Sequence, residues 1–174
     1  MKNLLIIGAG GFGKEVLGYA LDIKEEDRDW EVYGFLDRNP NALDNYKCGY
    51  KIINTIQDHV INEDEVFICA LGDPKIKLQI CREFKAKGAV FTNIIHPTAR
   101  IGRTSTYGQG LIMCPYSSIT ENVRIGEFNT INSFSVYGHD SVAEDGCTLS
   151  PNCDVSGYVY LEEGVFLGSN VTIV

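Results

Sequence analysis

His139 is followed directly by Asp140, and Gly157 comes eighteen residues later. An imidazole with a carboxylate beside it can act as a general base. A backbone N–H with no side chain over it can polarise an acyl carbonyl or hold a developing oxyanion. The competing reading of the same residues is a surface histidine and a corner glycine. The other histidines carry less: His96, before Pro97, reads as structural, and His59 as a solvent-facing loop or helix residue.

A second set lies near the N-terminus. Gly8-x-Gly10-x-x-Gly13 has dinucleotide-binding spacing, directly after an apolar run and before a helical pattern. Glycines there let backbone N–H groups approach a pyrophosphate, and a helix N-terminus favours its negative charge. Asp37, twenty-four residues after Gly13, ends the second apolar run, a place suited to hydrogen-bonding a ribose or base. A purely structural strand-to-helix turn uses the same glycines. NAD and a sugar nucleotide both fit, and the loop alone does not choose between them.

The elements that position the histidine follow a period of six. From Ile95 through Ile101, Tyr107 and Met113 to Ile173, every sixth residue is bulky and apolar, with Ala143 the one exception. A helix requires a period near 3.6 and a lone strand a period of 2, so the series predicts a solenoid of short strands and turns. Ile95 to Thr172 spans 13 hexads, and three hexads close one triangular coil of 18 residues. Matched positions on adjacent coils stack about 4.8 Å apart. His139 and the Gly157 backbone are therefore expected to be neighbours, on a corner or outer face.

The first half alternates strand and helix patterns, implying a parallel sheet with flanking helices. Asn3–Ile7, Val32–Leu36 and Val66–Leu71 read as strands, Lys14–Ile23 as a helix, and Pro74 opens a second helix that Gly88 ends. That helix has Ile76, Ile80 and Phe84 on one face. A short strand near Lys51–Ile53, a helical turn around Gln57 and a strand over Val90–Ile94 complete the half. The expected domains are 1–94 and 95–174, docked directly because no Gly-, Ser- or Pro-rich linker separates them.

Net charge of −8 argues against a nucleic-acid or anionic-membrane partner. No apolar run approaches the ~20 residues needed to cross a bilayer, and the N-terminus lacks the build of a signal peptide. The expected location is cytoplasmic. The six cysteines form no CxxC pair and read as reduced thiols, most of them buried as small hydrophobes.

Ile7-Gly-Ala-Gly-Gly-Phe-Gly-Lys14, Gly34-Phe-Leu-Asp37, Ile95-His-Pro97, Tyr137-Gly-His-Asp140 and Leu149-Ser-Pro-Asn152 together span nearly the whole chain. In this order they resemble the sugar O-acyltransferase family of left-handed β-helix, hexapeptide-repeat acetyltransferases. Members include sialic acid O-acetyltransferases and nucleotide-sugar N-acetyltransferases. The resemblance implies an α/β Rossmann-like parallel sheet followed by a left-handed parallel β-helix. It implies homotrimers with acetyl-CoA bound between neighbouring subunits, and no metal.

By the same resemblance, Gly8, Gly10, Gly11, Phe12, Gly13, Lys14, Asp37 and Arg38 hold the nucleotide sugar. His139 is the base, Asp140 its carboxylate partner, and Gly157 the N–H donor to the acyl carbonyl. Asn132 lines the same site, and Thr148 stands where relatives can place a histidine near the coenzyme. The implied reaction is direct acetyl transfer from acetyl-CoA to an amino or hydroxyl group of a sugar. Relatives run on for more coils, so the end at Val174 is expected to lack part of the CoA cleft or to be covered by another subunit. The glycine loop and Asp37 favour a nucleotide-linked amino sugar over sialic acid. An NAD-dependent oxidoreductase leaves the hexads without a task, and a non-catalytic sugar-nucleotide-binding protein is the remaining rival.

Overall fold

Lys2–Ile7 (β1) is buried completely over Leu4–Ile7, because helices and strands cover both of its faces. The computed structural model describes all residues 1–174. β1 sits inside a four-stranded parallel sheet with Trp30–Leu36 (β2), Ile52–Asn54 (β3) and Glu65–Cys69 (β4), in the order β3-β2-β1-β4. Two helices flank it, Gly11–Asp22 (α1) and Pro74–Ala86 (α2). Asp73 caps α2 by accepting from the N–H groups of Lys75 and Ile76 at 2.9 and 3.0 Å, and Pro74 takes the first turn, where no N–H is needed.

The second half is a triangular coil of fourteen two-residue strands, from Ile94–Ile95 (β5) to Thr172–Ile173 (β18). They stack into three parallel sheets. The first face starts at β5 and the second at Arg100–Ile101 (β6), each with five strands; the third starts at Thr106–Tyr107 (β7) and has four. Every register pairs residues eighteen apart, as the hexad count requires. The series residues form the interior, with Met113, Ile131, Tyr137, Leu149 and Val155 completely buried. Tyr107 is the exception. It lies on the edge strand of the four-stranded face, where no earlier coil covers it, and is 41% exposed.

The N-terminal half packs directly on the first face. Ile94, Ile112 and Cys114 share one core with Leu4, Ile6 and Val16, and the Phe91 and Phe128 rings meet edge-on at 4.9 Å. Lys77 of α2 crosses the seam: its ammonium donates to Thr148 Oγ1 (2.9 Å), Thr130 Oγ1 (3.3 Å) and the Cys147 carbonyl (3.4 Å). Burial without an anionic partner pushes its pKa down to about 8. Lys85–Glu127 and Arg82–Glu163 ion pairs flank it in more open positions. All six cysteines are free, and all but Cys48 are buried.

Five local expectations are corrected. His59, expected to face solvent, is buried with Nε2 3.0 Å from Glu65 Oε2. α1 begins at Gly11 rather than Lys14, so two glycines of the loop lie inside its first turn. Gln57 sits in a turn without a helix. Val90–Ile94 makes a single bridge, Phe67 to Phe91, before Ile94 opens the coil, because two-residue coil strands leave no room for a longer one. Ile76, expected beside buried Ile80 and Phe84, is 43% exposed and lines a groove.

Candidate active site

His139 lies just past Val136–Tyr137 (β12) of the second face, at the corner leading to the third. Gly138 leaves the strand with no room for a side chain, since an added Cβ would meet the Gly157 N at 2.5 Å. Asp140 turns the corner at φ 60°, and the Ser141 hydroxyl closes the turn on the Gly138 carbonyl at 2.6 Å. The Tyr137–Val155 register then brings Gly157 opposite His139 on the next coil. A Cβ on Gly157 would lie 2.8 Å from Cε1 and 2.9 Å from Nε2 of the imidazole. The Gly157 N–H donates to no protein acceptor, whereas the next amide, Tyr158 N–H, is held by the His139 carbonyl at 3.0 Å.

His139 Nδ1 lies 2.8 Å from Asp140 Oδ2. The Asn122 amide nitrogen contacts the other carboxylate oxygen, and these two hydrogen bonds hold Asp140 below the usual carboxylate range. An ionised carboxylate only accepts, so Nδ1 carries the proton and Nε2 keeps its lone pair. That lone pair is on the Gly157 side. The Tyr158 ring meets the imidazole edge-on at 5.3 Å, and the histidine side chain is 61% exposed. The arrangement can take a proton from a nucleophile beside a free, aimed N–H.

The glycine loop leaves β1 at Gly8, whose φ of 98° favours glycine. Gly10 caps α1 with no side-chain hydrogen bond, so the first N–H groups of the helix remain open. Gly13 packs so close to the Gly8 carbonyl that no side chain fits. The Asp37 carboxylate accepts from the Ala9 N–H at 2.6 Å and the Asn39 N–H at 2.9 Å, bracing the loop from inside. Lys14 sets its ammonium 5.2 Å from the Tyr46 ring centroid, and Phe12 packs against the core. A groove lined by Asp37, Arg38, Ile56, Leu71, Ile76 and Ile80 runs from this loop along α2. It lies past the carboxyl end of a parallel sheet where strand order reverses about β1, the usual ligand crevice of such sheets. Ile56 is not visible as a lining residue in the sequence, since the loop before β4 carries no period, and Ile76 reads there as one of the packed residues of its helix face.

The other expected site residues lie elsewhere in the chain. Asn132 follows the first face, and its amide nitrogen donates to the Leu149 carbonyl at 2.9 Å. Thr148 is on the first face, 5% exposed, and its hydroxyl accepts from Lys77. This corrects the expectation that it contacts the coenzyme, because the N-terminal half covers it. The glycine loop belongs to the half packed on the first face, and His139 stands on the edge opposite that face. Within one chain, the two sets do not meet.

Residues 3–84 match the PglD N-terminal domain family. Over 173 residues the chain is 27% identical to the GDP-perosamine N-acetyltransferase of Escherichia coli O157:H7, covering 97% of this chain and 76% of that protein. Solved structures match the fold of both halves. WeeI from Acinetobacter baumannii AYE superposes with a TM-score of 0.83 at 21% identity, covering 100% of this chain and 81% of that one. A histidine-to-asparagine variant of the Caulobacter crescentus perosamine N-acetyltransferase, bound to CoA and GDP-perosamine, gives 0.82 at 22%, covering 99% and 82%. The acetyltransferase domain of PglB from Neisseria gonorrhoeae FA1090, bound to acetyl coenzyme A, gives 0.77 at 23%, covering 99% and 91%. The fold is thus a Rossmann-like domain followed by a left-handed β-helix, as the resemblance implied.

Proposed function

We propose that the protein is an acetyl-CoA-dependent N-acetyltransferase acting on a nucleotide-linked amino sugar in glycan biosynthesis. The observation that carries this reading is the oriented imidazole of His139 beside the free Gly157 N–H. Residues 95–174 perform the transfer and residues 1–94 hold the nucleotide. Similarity to a GDP-perosamine N-acetyltransferase and to structures holding CoA and GDP-perosamine supports the choice of substrates.

His139 Nε2 takes a proton from the sugar amine as its nitrogen attacks the thioester carbonyl carbon. Asp140 holds the ring and balances the imidazolium charge. The Gly157 N–H receives the oxyanion of the tetrahedral intermediate. The carbon–sulfur bond then breaks, and the thiolate leaves with the proton returned by the imidazolium.

The glycine loop and His139 occupy opposite sides of the coil, so a bound sugar reaches the histidine of a neighbouring chain. This supports a homotrimer with the site between subunits, to which Asn132 of another copy can contribute. Six free thiols favour the cytoplasm, and no helix is long and apolar enough to cross a membrane. The test is thiol release from acetyl-CoA across UDP-, GDP- and dTDP-linked amino sugars, CMP-sialic acid and free sialic acid, with NADH titrated separately. Turnover with a nucleotide-linked amino sugar is expected. Turnover confined to sialic acid, or NADH binding without thiol release, would refute it.

A further inference from the structure

Asn122 belongs to no set of site residues described above, yet it touches the carboxylate that orients His139. It sits at φ 58° on the same corner as Asp140, one coil earlier, and its amide nitrogen donates to Asp140 Oδ1. The asparagine is itself held in place. Its backbone N–H donates to Thr104 Oγ1 at 2.8 Å, and that hydroxyl donates to Glu121 Oε2 at 2.7 Å. The Glu121 carboxylate also accepts from the N–H groups of Arg103 and Thr104, at 3.3 and 3.1 Å. A continuous hydrogen-bonded line therefore runs along the corner from Glu121 through Thr104, Asn122 and Asp140 to His139.

We propose that Asn122 is a positioning residue that selects the Asp140 rotamer and, through it, the tautomer of His139. Asp140 is on the surface, where a carboxylate can occupy several staggered wells. Two donors on separate oxygens, Asn122 Nδ2 on Oδ1 and His139 Nδ1 on Oδ2, favour the orientation that satisfies both, with the Tyr158 side chain as a further hydrogen-bond partner. Only in that orientation does Nδ1 keep its proton and Nε2 present a lone pair toward Gly157. Without Asn122, Asp140 is free to turn to solvent and the imidazole proton is free to occupy either nitrogen. The titratable groups against the ring are Asp140 and Tyr158, and Glu121, with Arg103 beside it, joins the same corner through Thr104; Asn122 is the neutral donor among them. The proposal rests on His139 being the base.

Two variants of the full chain test it, Asn122→Gly and Asn122→Asp. Glycine removes the side chain and accepts the positive φ; aspartate keeps size and tolerance of φ but replaces the donor with an acceptor. Nitrogen-15 shifts of the His139 ring report which nitrogen carries the proton, with no need for turnover. In both variants the Nδ1–H form of the neutral ring is expected to lose population, and kcat to fall about ten- to a hundred-fold at unchanged KM for acetyl-CoA. Wild-type tautomer and kcat in both variants would overturn the proposal, as would tautomer loss without any loss of kcat. Full turnover in His139→Ala would instead refute the base assignment itself. An inactive His139→Ala beside fully active Asn122 variants would remove Asn122 alone.

Discussion

A methyl group on Gly157 would lie 2.8 Å from Cε1 and 2.9 Å from Nε2 of His139, inside any permitted carbon contact. The imidazole therefore rests against bare backbone one coil further on, and the N–H beside it is unused by the protein. An imidazole and an unused backbone N–H share one corner of the coil because the eighteen-residue register stacks them.

Gly157→Ala places that methyl against the ring. The ring must rotate away from Asp140 or the corner must open, so kcat is expected to fall about a hundred-fold, the cost of misplacing the imidazole relative to the N–H. The coil should still fold, because Gly157 does not have a positive φ. Steady-state kinetics with circular dichroism of the same sample checks both halves of this statement.

Mixing two inactive variants tests where the sugar goes. Gly10 has open space around it, so Gly10→Leu fills the approach to the glycine loop without disturbing packing. Co-refolded with His139→Ala, it should recover activity if the loop of one chain serves the histidine of another. Random assembly leaves about a quarter of sites with both elements intact. No recovery would mean that each chain serves its own histidine.

Lys77 makes stability depend on pH at the seam between the two halves. Its folded pKa of about 8 lies below the ordinary 10.5, so the folded state binds fewer protons between these values. Stability contributed by this group therefore rises with pH across that window, by about 3 kcal/mol in all. The Cys69, Cys81 and Cys147 thiols lie near the same ammonium and partly offset its burial. Comparison with Lys77→Met cancels their common part. Denaturant unfolding over roughly pH 7.5 to 10.5 should show wild type gaining on the variant; parallel curves would contradict the assignment.

Legibility in the sequence followed the length of the repeat. One rigid period places every coil residue by arithmetic, so the neighbourhood of His139 and Gly157 could be counted before any coordinates. The same arithmetic cannot say which face another domain covers. Thr148 was accordingly expected at the coenzyme, and Lys77, whose partners lie 53 to 71 residues away, gave no local sign. Asn122 looked like one corner residue among several with positive φ, because its function depends on a side chain reaching across coils. The start of α1 is hidden because glycines weaken helical propensity, yet Gly11 and Gly13 are helical here, and Gly13 lets the helix pass close against the Gly8 carbonyl.

His139→Ala tests the account most directly. With acetyl-CoA and the accepted amino-sugar nucleotide, kcat should fall about 10²–10⁴-fold while KM for acetyl-CoA is retained, as expected when a general base is removed from an intact site. Turnover close to wild type in that variant would contradict acyl transfer at this corner.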